Sequence, residues 1–374
     1  MALYRIQSEI VRNLQAGGYR LSVFNLVNSI GMTDVFYSIR RAIKYYTSGG
    51  VLLIAATALA IIVANSPLGT LYREFCAKTV TLSIGTFNFF SHHGEPLTVM
   101  QFTNDALMAL FFFTIGLEIK REVLVGELSS LRQAMLPVIA AVGGMIVPVG
   151  VFMLFAGSPD VMRGAAIPMA TDIAFSLGIL AMLGKRVPIG IKIFLTALAV
   201  VDDLGGILVI AIFYSGHIAL SYLLWTLPLF AVLIVGGLLR VNSKLFYIVL
   251  GGVIWFLFLN SGVHPTISGV LVAFCIPARP RLDTQHYINR IRRTIKHFPV
   301  TWGSPILSKE QINMLKSVES ASDRVISPLQ DMEDSLHPLV HYLVIPLFAF
   351  VNAGIVFSGM QLSDLYQGAG LAVL

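Results

Sequence analysis

Charge is scarce in this chain. Asp, Glu, Lys and Arg make up 12% of its 374 residues, about half of the roughly 25% usual in a soluble domain. A hydrophobic share of 56% and a mean hydropathy of +0.79 argue against a set of soluble domains and for one helical bundle in a membrane. Cysteine is almost absent: Cys76 and Cys275 are the only two, and the topology read below sets them on opposite sides of a bilayer, which argues against a bridge between them. Residues 1–48 have no uninterrupted apolar core followed by a small-residue cleavage site, so they are not read as a signal peptide.

Long apolar runs are what the sequence does have. Nine candidate spans are read: Gly49–Asn65, Thr98–Ile119, Ala134–Ala156, Gly164–Leu183, Pro188–Tyr214, Ile218–Leu239, Leu245–Asn260, Val263–Pro277 and His337–Phe357. The net charge of +6 would suit nucleic acid, but its distribution follows the spans instead. With the N-terminus cytoplasmic, Arg73, Lys78 and Arg163 lie outside, Lys192 lies in a span, and every other Lys and Arg falls inside. That is the positive-inside bias, and the reversed topology would invert it. The expected organisation is a cytoplasmic arm over 1–48, a transmembrane domain over 49–357 with a cytoplasmic loop over 278–336, and the start of a further helix over 358–374. Within the arm, Val35–Tyr46 mixes apolar and basic residues as an interfacial helix does. Lys78–Phe89 alternates around Gly85 and predicts a small outer hairpin. In the long loop, Arg279, Arg281, Arg290, Arg292, Arg293 and Lys296 suit either anionic headgroups or a solvated positive-inside face.

Two aspartates stand together, Asp202 and Asp203, in the middle of Pro188–Tyr214. Each carboxylate at membrane depth costs about 2.5–3.5 kcal/mol or more on insertion scales. Packing does not maintain such a pair, so the default reading is an ion or proton site. Consecutive helical residues point about 100° apart, so one carboxylate can face a cavity while the other faces a neighbouring helix. The fourth span is interrupted: Pro168 removes a backbone donor, and Thr171 and Asp172 follow at once. Broken helices whose free backbone ends face an ion are a transporter device. Carboxylates, the Thr171 hydroxyl and backbone carbonyls form an oxygen set for a hard cation such as Na⁺, and protons compete for the same carboxylates.

The motifs Ala170-Thr-Asp-Ile-Ala-Phe-Ser-Leu-Gly-Ile-Leu, Lys192-Ile-Phe-Leu-Thr-Ala-Leu-Ala-Val-Val-Asp-Asp-Leu-Gly, Ser261-Gly-Val-His and Pro346-Leu-Phe-Ala-Phe-Val-Asn-Ala-Gly resemble the NhaA family of bacterial sodium/proton antiporters, from about Ser48 to Phe357. The resemblance implies an all-α polytopic fold with a discontinuous helix and a small extracytoplasmic β-hairpin. It implies a multi-pass protein of the bacterial inner membrane that exchanges Na⁺ or Li⁺ for H⁺, activated as cytoplasmic pH rises, with no cofactor. It also implies a homodimer whose contacts involve the outer hairpin. Asp203 matches the main cation ligand and Asp202 its essential partner, with Thr171 and Asp172 at the helix break beside them.

The family fold has twelve spans, and this sequence stops at the opening of the tenth, so the expectation is a chain lacking the C-terminal helices, about nine of twelve being present. The intramembrane lysine of the family falls beyond that point. Lys192 does not replace it, since it sits near the inner end of its span, where it snorkels. Further candidates follow from the same likeness. Glu118, Arg121 and Glu122, with Lys120, form a charged cluster at the inner end of span two; they suit either an interfacial anchor or a pH-sensing funnel shared with Glu333, Asp334 and His337. Asp105 suits an outer funnel or a structural hydrogen bond, and His264 a cap or a pH role. His92 and His93 are read as exposed loop residues without a role.

Two other classes compete. An intramembrane aspartyl protease also uses carboxylates on adjacent helices, but there a Gly-x-Gly-Asp pattern precedes the aspartate, whereas here glycines follow the doublet. An inactive membrane fragment is favoured only by the early stop.

Overall fold

The computed structural model describes residues 49–357, apart from 86, 93, 157, 158, 163, 170–186, 214–217, 240, 281, 282 and 300–305. The first helix, α1 (Gly49–Ala64), is apolar on every side, as a span in lipid should be. It breaks at Asn65-Ser-Pro and turns by 114° into α2 (Gly69–Ala77). A Cβ at position 69 would lie 2.6 Å from the Ala64 carbonyl oxygen, so the tight return requires glycine. Tyr72 of α2 donates its hydroxyl to the carbonyls of Phe350 and Val351 at 2.7 and 3.0 Å.

The expected hairpin is present. Strand β1 (Ser83–Ile84) pairs antiparallel with β2 (Phe87–Asn88), and Gly85 takes φ 63° at the turn. A second hairpin follows that the sequence reading missed: β3 (Ser91–His92) pairs with β4 (Glu95–Pro96), with Gly94 at φ 90°. His92 is therefore a strand residue, while His93 lies outside the described residues. Phe89 and Phe90, between the hairpins, seat their rings against Trp255 and Phe102.

Next comes α3 (Val99–Val125). Thr98 opens it with a capping box to Gln101, satisfying two otherwise orphaned donors. A π-helical turn over Thr103–Leu107 interrupts it. The helix runs on past the expected Ile119 to Gly126, because Glu118, Lys120, Arg121 and Glu122 are good helix formers and nothing breaks the turn before the glycine. Helix α4 (Leu131–Phe155) follows with Pro137 and Pro148 inside it. Then come α5 (Ile189–Phe213), α6 (Leu220–Leu238), α7 (Lys244–Leu259) and α8 (Thr266–Cys275), all close to the apolar runs read from sequence.

The stretch 278–336 is not a plain loop. It holds α9 (Thr284–Lys296), α10 (Lys309–Val325) and the first turns of α11 (Pro328–Asn352). Span nine was expected from His337 to Phe357. Its helix instead starts at Pro328, N-capped by Ser327, and ends at Asn352, with a π-helical turn over Val340–Val344.

Among the described residues, α3, α4, α6 and α11 are long and apolar enough to cross a membrane, and α1 with α2 qualifies as a bent pair. Their surfaces agree: Leu131, Leu154, Trp225 and Leu238 stand 69–93% exposed, an apolar exterior that lipid covers and water would not. Helices α3 and α8 approach closely through small residues. A Cβ on Gly269 would fall 2.2 Å from the Ala109 carbonyl oxygen, and one on Gly116 would fall 2.7 Å from Ala273 Cβ. Without a hydrophobic drive between helices in lipid, such backbone proximity supplies much of the association energy. The largest buried cluster includes Phe113, Leu117, Leu233, Tyr247, Ile254 and Phe258.

Candidate functional site

Asp202 and Asp203 lie near the middle of α5, a 25-residue helix about 37 Å long at 1.5 Å per residue. Both side chains are half-buried. The helix is held against α4 and α3 by small and branched residues. Ala197 and Ala199 are buried, Val200 packs with Ile115 and Ile119 of α3, and Gly205 leaves room for the Met145 sulfur, which a Cβ would meet at 2.2 Å. The doublet thus follows directly on the packed seam with α3. In sequence the doublet is preceded by Val200 and Val201 and followed by Leu204, Gly205 and Gly206.

The other half of the expected set, Thr171 and Asp172, lies outside the described residues. The backbone just before them is described. Gly164–Ala166 form a turn and Ile167–Met169 a 3₁₀ segment around Pro168, so the start of the expected span Gly164–Leu183 is not α-helical. Among the described residues, no group of three or more His, Cys, Asp or Glu side chains is placed to hold a metal ion.

A second constellation forms across α3, α8 and α11. Arg121 Nε reaches Glu333 Oε1 at 3.1 Å, joining the charged cluster at the end of α3 to a residue that only the family likeness had grouped with it. Lys120 turns the other way and donates Nζ to the carbonyls of Phe274, at 2.7 Å, and Ile276. It thereby satisfies the open C-terminal end of α8, where a cation also complements the helix dipole. Glu118 is half-buried on α3, and the Glu122 carboxylate folds back over Gly126, where a Cβ would meet it at 2.3–2.4 Å. One turn beyond Glu333, His337 stacks on His341 with ring centroids 3.9 Å apart. Sequence reading missed Lys244, whose Nζ bonds Asp331 at 2.7 Å and Ser335 at 2.9 Å. Nothing in the sequence pairs α7 with α11, so no signal would have found it.

The outer candidates have structural partners. Asp105 sits in the π-helical turn of α3, and its carbonyl accepts from Trp255 Nε1 at 2.9 Å. His264 Nδ1 lies 3.0 Å from the Thr266 hydroxyl at the opening of α8. Nearby, Asn104 and Asn352 exchange amide hydrogen bonds at 3.2 and 2.8 Å, tying α3 to the end of α11.

The described geometry thus places a half-buried carboxylate doublet in the middle of an apolar helix. A family model described as Na⁺/H⁺ antiporter 1 matches residues 40–374. The chain belongs to the NhaA family of Na⁺/H⁺ antiporters. It is 56% identical over 330 residues to the Na⁺/H⁺ antiporter NhaA of Phocaeicola vulgatus, covering 88% of this chain and 74% of that protein. Against the Bacteroides fragilis NhaA the identity is 55% over 342 residues, with 90% and 78% covered. Against the Porphyromonas gingivalis NhaA it is 47% over 340 residues, with 90% and 75% covered. Members of the NhaA family are secondary transporters rather than enzymes, and this NhaA-family chain is a multi-pass protein of the bacterial inner membrane.

Proposed function

We propose that this NhaA-family antiporter exchanges Na⁺ or Li⁺ for protons at Asp203 and Asp202, with Asp203 as the main cation ligand. The observation that carries the reading is the position of the doublet: mid-helix, half-buried, at the seam of α5 with α3 and α4. Two neighbouring carboxylates in a low-dielectric site cannot all stay charged without a counter-charge. A bound cation or a bound proton each supplies it, and the two exclude one another. That competition is the coupling.

The 3₁₀ turn at Pro168 supports a discontinuous fourth span, in which Thr171 and Asp172 stand at the break and complete the oxygen set. The nine-span arrangement has its N-terminus and residues 1–48 in the cytoplasm, supported by the Lys and Arg distribution. No cofactor takes part, since the transported ions are the whole chemistry. The protein works as a homodimer in the bilayer, joined through its outer hairpins. Glu118, Arg121, Glu122, Glu333 and His337 form the inner, pH-responsive group, supported by the Arg121–Glu333 ion pair. Asp105 borders the outer approach, and His264 acts first as a helix-end hydrogen-bond partner.

The test is transport in everted membrane vesicles carrying a pH-sensitive dye. Sodium added to vesicles with the wild-type protein should collapse the pre-formed pH gradient, and Asp202→Asn or Asp203→Asn should abolish the response. Full activity in both variants would refute the assignment.

A further inference from the structure

Among the described residues, helix α9 is the most strongly amphipathic segment outside the spans, and the proposed transport chemistry does not use it. It carries Arg290, Arg292, Arg293 and Lys296 and no acidic residue. At 100° per residue, Tyr287, Ile288, Ile291 and Ile295 form one stripe, with Arg292 and Lys296 along one flank and Arg290 along the other. Only part of that stripe is used within the protein. Tyr287 meets α10 through its hydroxyl, 2.8 Å from Ser322 Oγ, and Ile291 is half-buried. Ile295, beside Arg292 and Lys296, is 70% exposed, and Ile288 is exposed as well. Ile306 and Leu307, just before α10, are also exposed.

The connection is held close to the spans. Leu329 N donates to the Pro277 carbonyl at 3.3 Å, so the chain leaves α8 and re-enters α11 at one place. From Pro277 to Thr284 even a fully extended chain reaches about 25 Å at most. The headgroup layer on each side of the hydrocarbon core is itself about 5–8 Å deep. An exposed apolar edge flanked by arginines, tethered within that reach of a membrane surface, matches an interfacial helix in composition and in place.

We propose that α9 lies on the bilayer that holds the protein and binds anionic lipid headgroups, with Ile288 and Ile295 seated at the acyl boundary and Arg290, Arg292, Arg293 and Lys296 on phosphates. Charge complementarity selects this occupant: a second copy of the helix would bring four like charges together, whereas an anionic leaflet attracts each of them. Near such a surface each basic residue is worth about a fivefold change in partitioning.

The experiment places a fluorophore on Ile295→Cys, in a Cys76→Ala/Cys275→Ala background, in the full chain reconstituted into vesicles. One set contains phosphatidylcholine alone and the other a phosphatidylcholine–phosphatidylglycerol mixture. With phosphatidylglycerol present, nitroxide-labelled lipid should quench the probe several-fold more and aqueous iodide correspondingly less. Arg292→Glu/Arg293→Glu should reverse both changes, high salt should weaken them, and Arg292→Lys/Arg293→Lys should retain them. Equal iodide access in both lipid mixtures would overturn the proposal in favour of a solvated loop. Lipid quenching indifferent to the charge reversal would overturn it too. So would protection that disappears on dilution to one copy per vesicle, since that outcome assigns the face to a second protein chain.

Discussion

Arg121 on α3 and Glu333 on α11 are joined at 3.1 Å, with the arginine side chain 45% exposed and the carboxylate 12% exposed. The pair links a helix that packs against the doublet-bearing α5 to a helix that also carries His337. It therefore connects the charged end of α3 to α11, and the proposed pH response predicts that breaking it is felt in transport. Partly exposed pairs contribute about 0–1 kcal/mol to stability. Arg121→Glu and Glu333→Arg should each change the pH dependence of transport while lowering the melting temperature little. The combined swap should recover the wild-type profile. A profile unchanged in both single variants would leave the pair a structural anchor.

Lys120 has a different task on the same helix. Its ammonium serves two carbonyls at the end of α8, and removing it leaves those acceptors unsatisfied at a cost of about 1–3 kcal/mol. Lys120→Met should lower thermal stability in detergent by that order while leaving the sodium affinity of the surviving protein unchanged. A large change in apparent sodium KM without loss of stability would move Lys120 into the transport machinery.

The close seam of α3 and α8 makes a paired prediction. Gly269→Ala places a Cβ against backbone atoms of Ala109 and Phe113, which cannot yield without moving α3. Overpacking of this kind costs about 1–3 kcal/mol. Gly144→Ala, where a Cβ meets nothing within 4 Å, should be neutral or slightly stabilising, since alanine is the better helix former by about 1 kcal/mol. Melting curves of the two variants decide it; equal effects would mean that the α3–α8 approach is not as tight as described.

Several spans were legible because lipid imposes one rule, apolar residues for a helical length, and α3, α4 and α6 obey it. The turn at Gly85 was legible for a similar reason, alternation on either side of a residue that tolerates positive φ. The early start of α11 was hidden by Asp331, Glu333 and Asp334, which read as a polar loop. Yet Ser327 followed by Pro328 at the first helical position is a helix-start signal, and Ser308 with Gln311 forms the same kind of signal before α10. The second hairpin had only Gly94 to announce it, between strands of two residues. At the site, the doublet announces itself through its cost. The partners of Arg121 and Lys244 depend on which helices touch, and no local pattern encodes that.

Competition between ions gives a kinetic prediction. If sodium and protons share the doublet, acidifying the cytoplasmic side should raise the apparent sodium KM and lower transport, and alkaline conditions should do the reverse. Initial rates over a series of sodium concentrations at several pH values measure this directly. A sodium KM that stays flat from mildly acidic to mildly alkaline pH would separate the two sites.

The shared site is tested most directly by proton release from the purified protein in weakly buffered solution. Adding sodium to the wild-type protein should release protons as the cation takes the carboxylate oxygens, lithium should do the same, and Asp203→Asn should release none. Sodium binding without proton release, or release undiminished in Asp203→Asn, would contradict the account.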